Sequence, residues 1–231
     1  MAYELWYWSG TPGRGEFVRL ALEAAAIPYR DCARELGDDA LMADMAKRRP
    51  EPFAPPYLVA DGQVIAQTAN ILAWLGRKHG LAPDDDAGRT LVAQYQLTIA
   101  DMVAEAHDVH HPIGMSLYYE DQKPEAARRA EEFRDYRMSK YLHYFDRVLA
   151  ERDWLVGERR SYADLSLFHL LKGLRFAFPR RMHDIEKDVP NLVGLRERVG
   201  ALPELSDYMA SDRRYPFSNG IFRYYPELDK P

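Results

Sequence analysis

The sequence predicts an α+β domain over residues 1–80 followed by an all-α domain over residues 89–231. Three observations predict it. Short aromatic or apolar runs bounded by turn residues recur up to Ala66, with helical periodicity between them. Leu81-Ala82-Pro83-Asp84-Asp85-Asp86-Ala87-Gly88 then interrupts the chain with the chemistry of a linker. Past it, no strand-like run occurs for more than a hundred residues.

Residues 3–8, Tyr-Glu-Leu-Trp-Tyr-Trp, read as a first strand, which Ser9-Gly10-Thr11-Pro12-Gly13 breaks. From Glu16, the positions Phe17, Leu20, Ala21, Ala24 and Ala25 recur at helical spacing until Ile27-Pro28. Residues 28–35 are weakly strand-like and 38–48 suit a short helix. Pro50, Pro52, Pro55 and Pro56 precede Tyr57-Leu58-Val59-Ala60, and Asp61-Gly62 separates that run from Gln63-Val64-Ile65-Ala66 in the pattern of a tight hairpin. Gln67-Thr68-Ala69-Asn70 opens a helix with Ile71, Leu72, Trp74 and Leu75 as its buried stripe, closing near Gly76 or Gly80. The first domain therefore reads β-α-β-α-β-β-α.

In the second domain Leu91, Tyr95, Ile99, Met102, Ala106 and Val109 describe one long amphipathic helix stopped at Pro112. Phe133, Tyr136, Tyr141, Phe145, Val148 and Leu149 suggest another. Ser161-Tyr162-Ala163-Asp164 has the spacing of a capping box ahead of an apolar run. Shorter helices near 190–200 and 203–210 follow. The tail carries Tyr215, Phe217, Phe222, Tyr224 and Tyr225, too much aromatic surface to stand in water, so it packs on the helical domain or folds over the cleft as a lid.

Thirty-one Lys and Arg against 36 Asp and Glu leave a formal charge of −5, evenly mixed, which argues against a nucleic-acid partner. The single cysteine, Cys32, excludes an internal disulfide framework and a Cys-based metal centre. No stretch approaches the ~20 apolar residues of a bilayer span, and the first residues lack a signal-peptide pattern. The expectation is a cytoplasmic protein with no membrane partner.

Four short motifs stand in a telling order. They are Tyr7 with Gly13-Arg14-Gly15-Glu16 and Arg19; Pro56-Tyr57-Leu58-Val59; Gln67-Thr68-Ala69-Asn70-Ile71; and Val156-Gly157 with Ser161-Tyr162-Ala163-Asp164. Together they resemble the cytosolic glutathione S-transferases over essentially the whole chain, closest to the tyrosine-type classes (alpha, pi, sigma). The resemblance implies a thioredoxin-like first domain that binds glutathione as co-substrate. It also implies an all-helical second domain with the site for a small electrophile, no permanently bound cofactor, and a homodimer.

Conjugation needs a thiolate, and a thiol of pKa about 8.5 is only a few per cent ionised at neutral pH. By resemblance Tyr7 is the catalytic hydroxyl that stabilises the anion; read from residues alone it is a core aromatic. The stretch from Tyr7 to Gly13 is one residue longer than the family's pattern, so Ser9 or Thr11 is the fallback. Pro56 matches the family's cis-proline, beside which the backbone pairs with the cysteinyl part of glutathione. Here Pro55 precedes it and has no N–H to donate, and Ala54 replaces a polar residue. Gln67 and Thr68 match the pair holding the γ-glutamyl end at a helix N-terminus, an ordinary N-cap being the plainer reading. Arg14 reaches toward the same peptide or is solvated, and Lys47, Arg48 and Arg49 offer charge for the glycyl carboxylate. The position where the family places a carboxylate for the partner subunit is Val109, beside Asp108.

His107, His110 and His111 lie at i, i+3 and i+4, so His107 and His111 share a helix face. No further ligand is evident, and no metal site is expected. His107, His111, Met115 and Tyr118, with Tyr119, are instead candidates for the electrophile pocket, or for plain helix packing. Two functional readings follow. One is a glutathione transferase, with peroxide reduction as a side activity; the other is a non-catalytic binding protein on the same fold, which Pro55, Ala54 and the altered first loop favour.

Overall fold

A computed structural model describes residues 2–230. Strands β1 (Tyr3–Trp6), β2 (Tyr29–Asp31), β3 (Tyr57–Ala60) and β4 (Gln63–Ala66) form one sheet in the order β2-β1-β3-β4. β2 is parallel to β1, whereas β3 is antiparallel to both β1 and β4. Alternation along the strands sorts the two faces. Tyr3, Leu5, Leu58 and Ile65 join the main core, while Trp6 and Tyr57 join a smaller one with Cys32 and Leu41. Asp61 and Gly62 both have positive φ (49° and 75°), the turn that a two-residue hairpin requires.

Helices α1 (Gly15–Ala24) and α4 (Thr68–His79) pack together and contribute to the main core. On the chain between β2 and β3 are α2 (Cys32–Leu36) and α3 (Asp38–Lys47). The weakly strand-like segment thus keeps its extended form only to Asp31. The element order expected for the first domain is present, with α2 added.

The regular elements after α4 are helices, among them α5 (Asp86–Asp108), α6 (Lys123–Glu132), α7 (Met138–Val148), α8 (Tyr162–Ala177), α9 (Pro179–Ile185), α10 (Pro190–Gly200) and α11 (Pro203–Ala210), and residues 211–230 form an irregular tail. α5 starts at Asp86, inside the linker-like stretch, because the Asp85 carboxylate accepts the Gly88 N–H at 2.7 Å. Ser161 and Asp164 form the expected capping box, and α8 buries nearly all its residues against α5, α1 and α10. Between α6 and α7 the segment Phe133–Arg137 is a π-helical turn. Among the described residues no helix is long and apolar enough to cross a membrane.

Charge ties the two domains together. Arg19, fully buried, donates from Nε to Asp31 (2.7 Å) and from Nη1 to the Pro12 carbonyl (3.3 Å). Glu16, equally buried, accepts from the Tyr208 hydroxyl at 2.7 Å and faces the Arg214 guanidinium at 3.3 Å. Burial holds the Glu16 carboxyl above the usual range, against the opposing pull of Arg19, Tyr208 and Arg214.

The aromatic tail packs on the helical domain. Phe217 stacks on His169 and Phe176, and Phe222 fills the space beside Gly173, where a Cβ would collide with its ring. It also reaches the first domain. The Thr11 hydroxyl donates to the Asn219 carbonyl at 2.6 Å, and His110 Nε2 lies 3.2 Å from the Gly220 carbonyl.

Candidate functional site

Tyr7 directly follows β1 and is buried beneath the loop that leads into α1. A Cβ on Gly13 would overlap its hydroxyl, and one on Gly15 would stand 2.6 Å from its ring, so the loop lies on the tyrosine only because both positions are glycine. The Arg14 N–H donates to Tyr7 Oη at 2.9 Å. This leaves the phenolic proton free to be donated onward. Burial holds the Tyr7 phenol above its ordinary range, opposed by the Arg14 amide and by the Arg14 and Arg19 charges. The group is therefore protonated at neutral pH, as a donor to an anion must be.

The other hydroxyls of the loop are placed differently. Thr11 spends its proton on the Asn219 carbonyl. Ser9 is half-buried, with its amide bound to Asp38 Oδ1 at 2.9 Å and no side-chain partner among the described residues. Gly10 and Gly13 take positive φ (76° and 40°) and accommodate the turn.

Arg14, Phe17, Gln67, Thr68, Gln96 and Val103 line a cleft of about 180 Å³ between the loop, the start of α4 and one face of α5. Gln67 is non-glycine at φ 68°, a conformation costing about 1–3 kcal/mol, at the turn from β4 into α4. No side chain caps α4. Its first-turn amides have no side-chain acceptor, so the plain N-cap reading fails here. Gln96 is a cleft residue that the sequence did not single out; its side-chain oxygen is buried and has no partner among the described residues.

The Pro55–Pro56 peptide is cis at the entry to β3, with Pro56 buried and Pro55 half-buried. Of the three basic candidates, Arg48 is committed to Asp44 (2.7 Å) and Glu4 (3.0 Å), and Arg49 to the backbone carbonyls of Ala46 and Arg48. Lys47 is exposed and makes no ion pair among the described residues.

His107 lies one turn beyond Val103, on the cleft face of α5, and is buried. His111 is partly exposed after the helix end and binds the Leu117 carbonyl through Nδ1 at 3.1 Å. Met115 and Tyr118 are 62% and 76% exposed on the loop after α5, and the structure does not bring them into the cleft. Their backbone neighbours turn around Gln122, whose amide bonds the loop from inside, leaving these two side chains outward. Tyr119 is buried, stacked on Tyr225. Val109 is buried too, and it does not present a carboxylate.

Comparison with known proteins points one way. The family model for the glutathione S-transferase C-terminal domain matches residues 107–212. Glutathione S-transferase A3 of Mus musculus is 28% identical over 227 residues, which cover 93% of this chain and 92% of the relative. Glutathione S-transferase alpha-5 of Rattus norvegicus is 29% identical over the same length and coverage, and glutathione S-transferase Mu 3 of Mus musculus is 28% identical over 223 residues, covering 94% of each chain. Among solved structures, the glutathione S-transferase from Ascaris lumbricoides aligns with a TM-score of 0.69 at 25% identity, over 94% of this chain and 99% of that one. The Pi-class enzyme of Onchocerca volvulus shares the fold with a TM-score of 0.72 at 22% identity, over 90% and 92%.

Proposed function

We propose that this chain, a homologue of the glutathione S-transferases along nearly its whole length, is a glutathione transferase of the tyrosine type, with Tyr7 as the donor that stabilises the thiolate. One observation carries the assignment of the tyrosine: its oxygen accepts the amide of Arg14, a residue that lines the cleft ending on the uncapped start of α4, so its own proton is free. The γ-glutamyl carboxylate sits on the first-turn amides of α4 with the Thr68 hydroxyl, and Gln67 holds the same end. Lys47 is the free cation for the glycyl carboxylate. The Pro55 carbonyl accepts from the cysteinyl backbone, and Pro55 returns no N–H.

Tyr7 then donates to the sulfur. The thiol proton leaves to solvent, the thiolate lone pair forms a carbon–sulfur bond to the electrophile, and the displaced group departs with its bonding pair or, in an addition, the carbon chain takes up a proton. Two units of thiol pKa need about 2.7 kcal/mol of preference for the anion. A hydrogen bond to a charged group supplies about 1.5–3 kcal/mol, so one tyrosine suffices.

The second reading, a binding protein without chemistry, is favoured by the missing Pro55 donor. One experiment separates them: conjugation of glutathione to a generic aryl halide, measured beside glutathione affinity by calorimetry. Turnover supports the enzyme; tight binding without turnover supports the binding protein; neither binding nor turnover removes glutathione as the ligand.

A further inference from the structure

We propose that His107, His110 and His111 form a three-histidine site for a divalent ion of the zinc class at the carboxyl end of α5. From sequence only His107 and His111 share a face. The structure adds His110, because the helix tightens into its last turn, where the His110 amide bonds the His107 carbonyl at 3.3 Å and the His111 amide bonds that of Asp108 at 3.2 Å. One ring nitrogen from each of the three lies within 4.8 Å of the other two. Tetrahedral coordination with metal–nitrogen bonds of about 2.0–2.1 Å separates its ligand atoms by about 3.4 Å, so rotation about the side-chain bonds closes the set.

The outer contacts are those of a ligand set. A carbonyl can only accept, so His110 carries its proton on Nε2 toward Gly220, while His111 Nδ1 lies 3.1 Å from the Leu117 carbonyl and 3.4 Å from Gln122 Nε2. Each of these two rings is thus held through one nitrogen while the other makes no hydrogen bond among the described residues, the arrangement that orients metal-ligating histidines. His107 is nine-tenths buried and makes no hydrogen bond among the described residues, so both its nitrogens are uncommitted. The Arg14 and Arg223 charges face the cluster and oppose a cation. The last carbonyls of α5, at the negative end of a 23-residue helix, favour one. Imidazole donors suit zinc, cobalt, nickel and copper rather than magnesium or calcium. Three protein ligands leave a fourth position for water or a substrate atom, and the Gly220 and Leu117 contacts would make the ion a clamp on the tail and on the loop after α5.

The site does not depend on the glutathione reading, and its test omits glutathione, whose thiol binds zinc itself. Untagged full-length protein, stripped with chelator and dialysed, is titrated with Zn²⁺ by calorimetry and with Co²⁺ by visible absorption. One ion per chain at micromolar concentration, intense tetrahedral cobalt bands, and at least tenfold weaker binding in both His107→Ala and His111→Ala are expected, with His183→Ala unchanged. If buried His110→Ala fails to fold, these two variants carry the test. Absence of stoichiometric binding, or equal affinity in the wild type and both variants, overturns the site.

Discussion

Replacing Tyr7 with phenylalanine removes one oxygen and keeps the ring that Gly13 and Gly15 rest on. The lost interaction is a hydrogen bond to an anion, about 1.5–3 kcal/mol, which at 1.36 kcal/mol per unit raises the pKa of the bound thiol by about 1.1–2.2 units. Starting from a free thiol near 8.5, the bound thiol titrates at roughly 6.3–7.4 with Tyr7 and near 8.5 without it. At pH 7 the thiolate fraction then falls roughly ten- to thirtyfold. The rate falls by less than the population, because a thiolate gains nucleophilicity as its pKa rises, with a Brønsted coefficient of about 0.4–0.5. The decisive measurement is the pH titration of the thiolate absorbance in the complex at saturating glutathione, beside the pH profile of kcat/KM. Above the higher pKa the thiolate absorbances of the two enzymes converge, while the rate with Tyr7→Phe reaches or exceeds that of the wild type because its thiolate is the more nucleophilic. Tyr7→Phe also strips the Arg14 amide of its acceptor, at a stability cost of about 1–3 kcal/mol, so melting curves must show that both proteins are folded at the assay temperature. An unmoved thiol pKa in Tyr7→Phe, with a raised one in Ser9→Ala, refutes the reasoning and transfers the role to Ser9.

Thr68→Ala should weaken glutathione by about 1–3 kcal/mol in calorimetry, and Gln96→Leu should weaken it too by removing the orphaned carboxamide; unchanged affinity in both would empty this end of the cleft of its function. His169 is fully buried and its pKa is lowered to about 3, chiefly by burial, so the unfolded chain binds the extra proton first. Its contribution is intact above about pH 6.5 and is lost as pH falls from there toward 3, with a slope approaching 1.4 kcal/mol per pH unit; His169→Leu should flatten the pH dependence of thermal stability over that window, and an identical slope would acquit His169. Phe53 is 94% exposed, a large apolar ring that a homodimer would cover; light scattering should give twice 26.7 kDa for the wild type and a shift toward 26.7 kDa for Phe53→Ser, whereas a monomeric wild type at micromolar concentration rejects the dimer.

Legibility followed the range of the forces. The Asp61-Gly62 hairpin, the Ser161–Asp164 box and the α5 stripe are set by neighbours three or four positions away, and each formed where the pattern put it. α6 left little trace because its sequence is mostly charged, with only Ala126 and Ala130 buried. The start of α4 was legible as a motif, but whether a side chain capped it was not. Gln96 read as one polar residue on an amphipathic helix. Nothing local announces that its oxygen lies buried beside Gln67 and Thr68. The Thr11–Asn219 bond joins residues 208 apart, and His110 became the third member of its cluster only through the turn that ends α5.

The Glu16–Tyr208 bond and the Arg214 contact have a consequence for recombination. Cut at the linker, the first half would keep Glu16 without the Tyr208 hydroxyl and the Arg214 guanidinium that the second half supplies from beyond residue 200. A buried carboxylate deprived of its partners costs several kcal/mol, a large part of what holds any domain together. A chimaera that takes its first 80 residues from this protein and the remainder from a relative should therefore fold only if the donor of the second half brings a hydroxyl and a guanidinium to the same place.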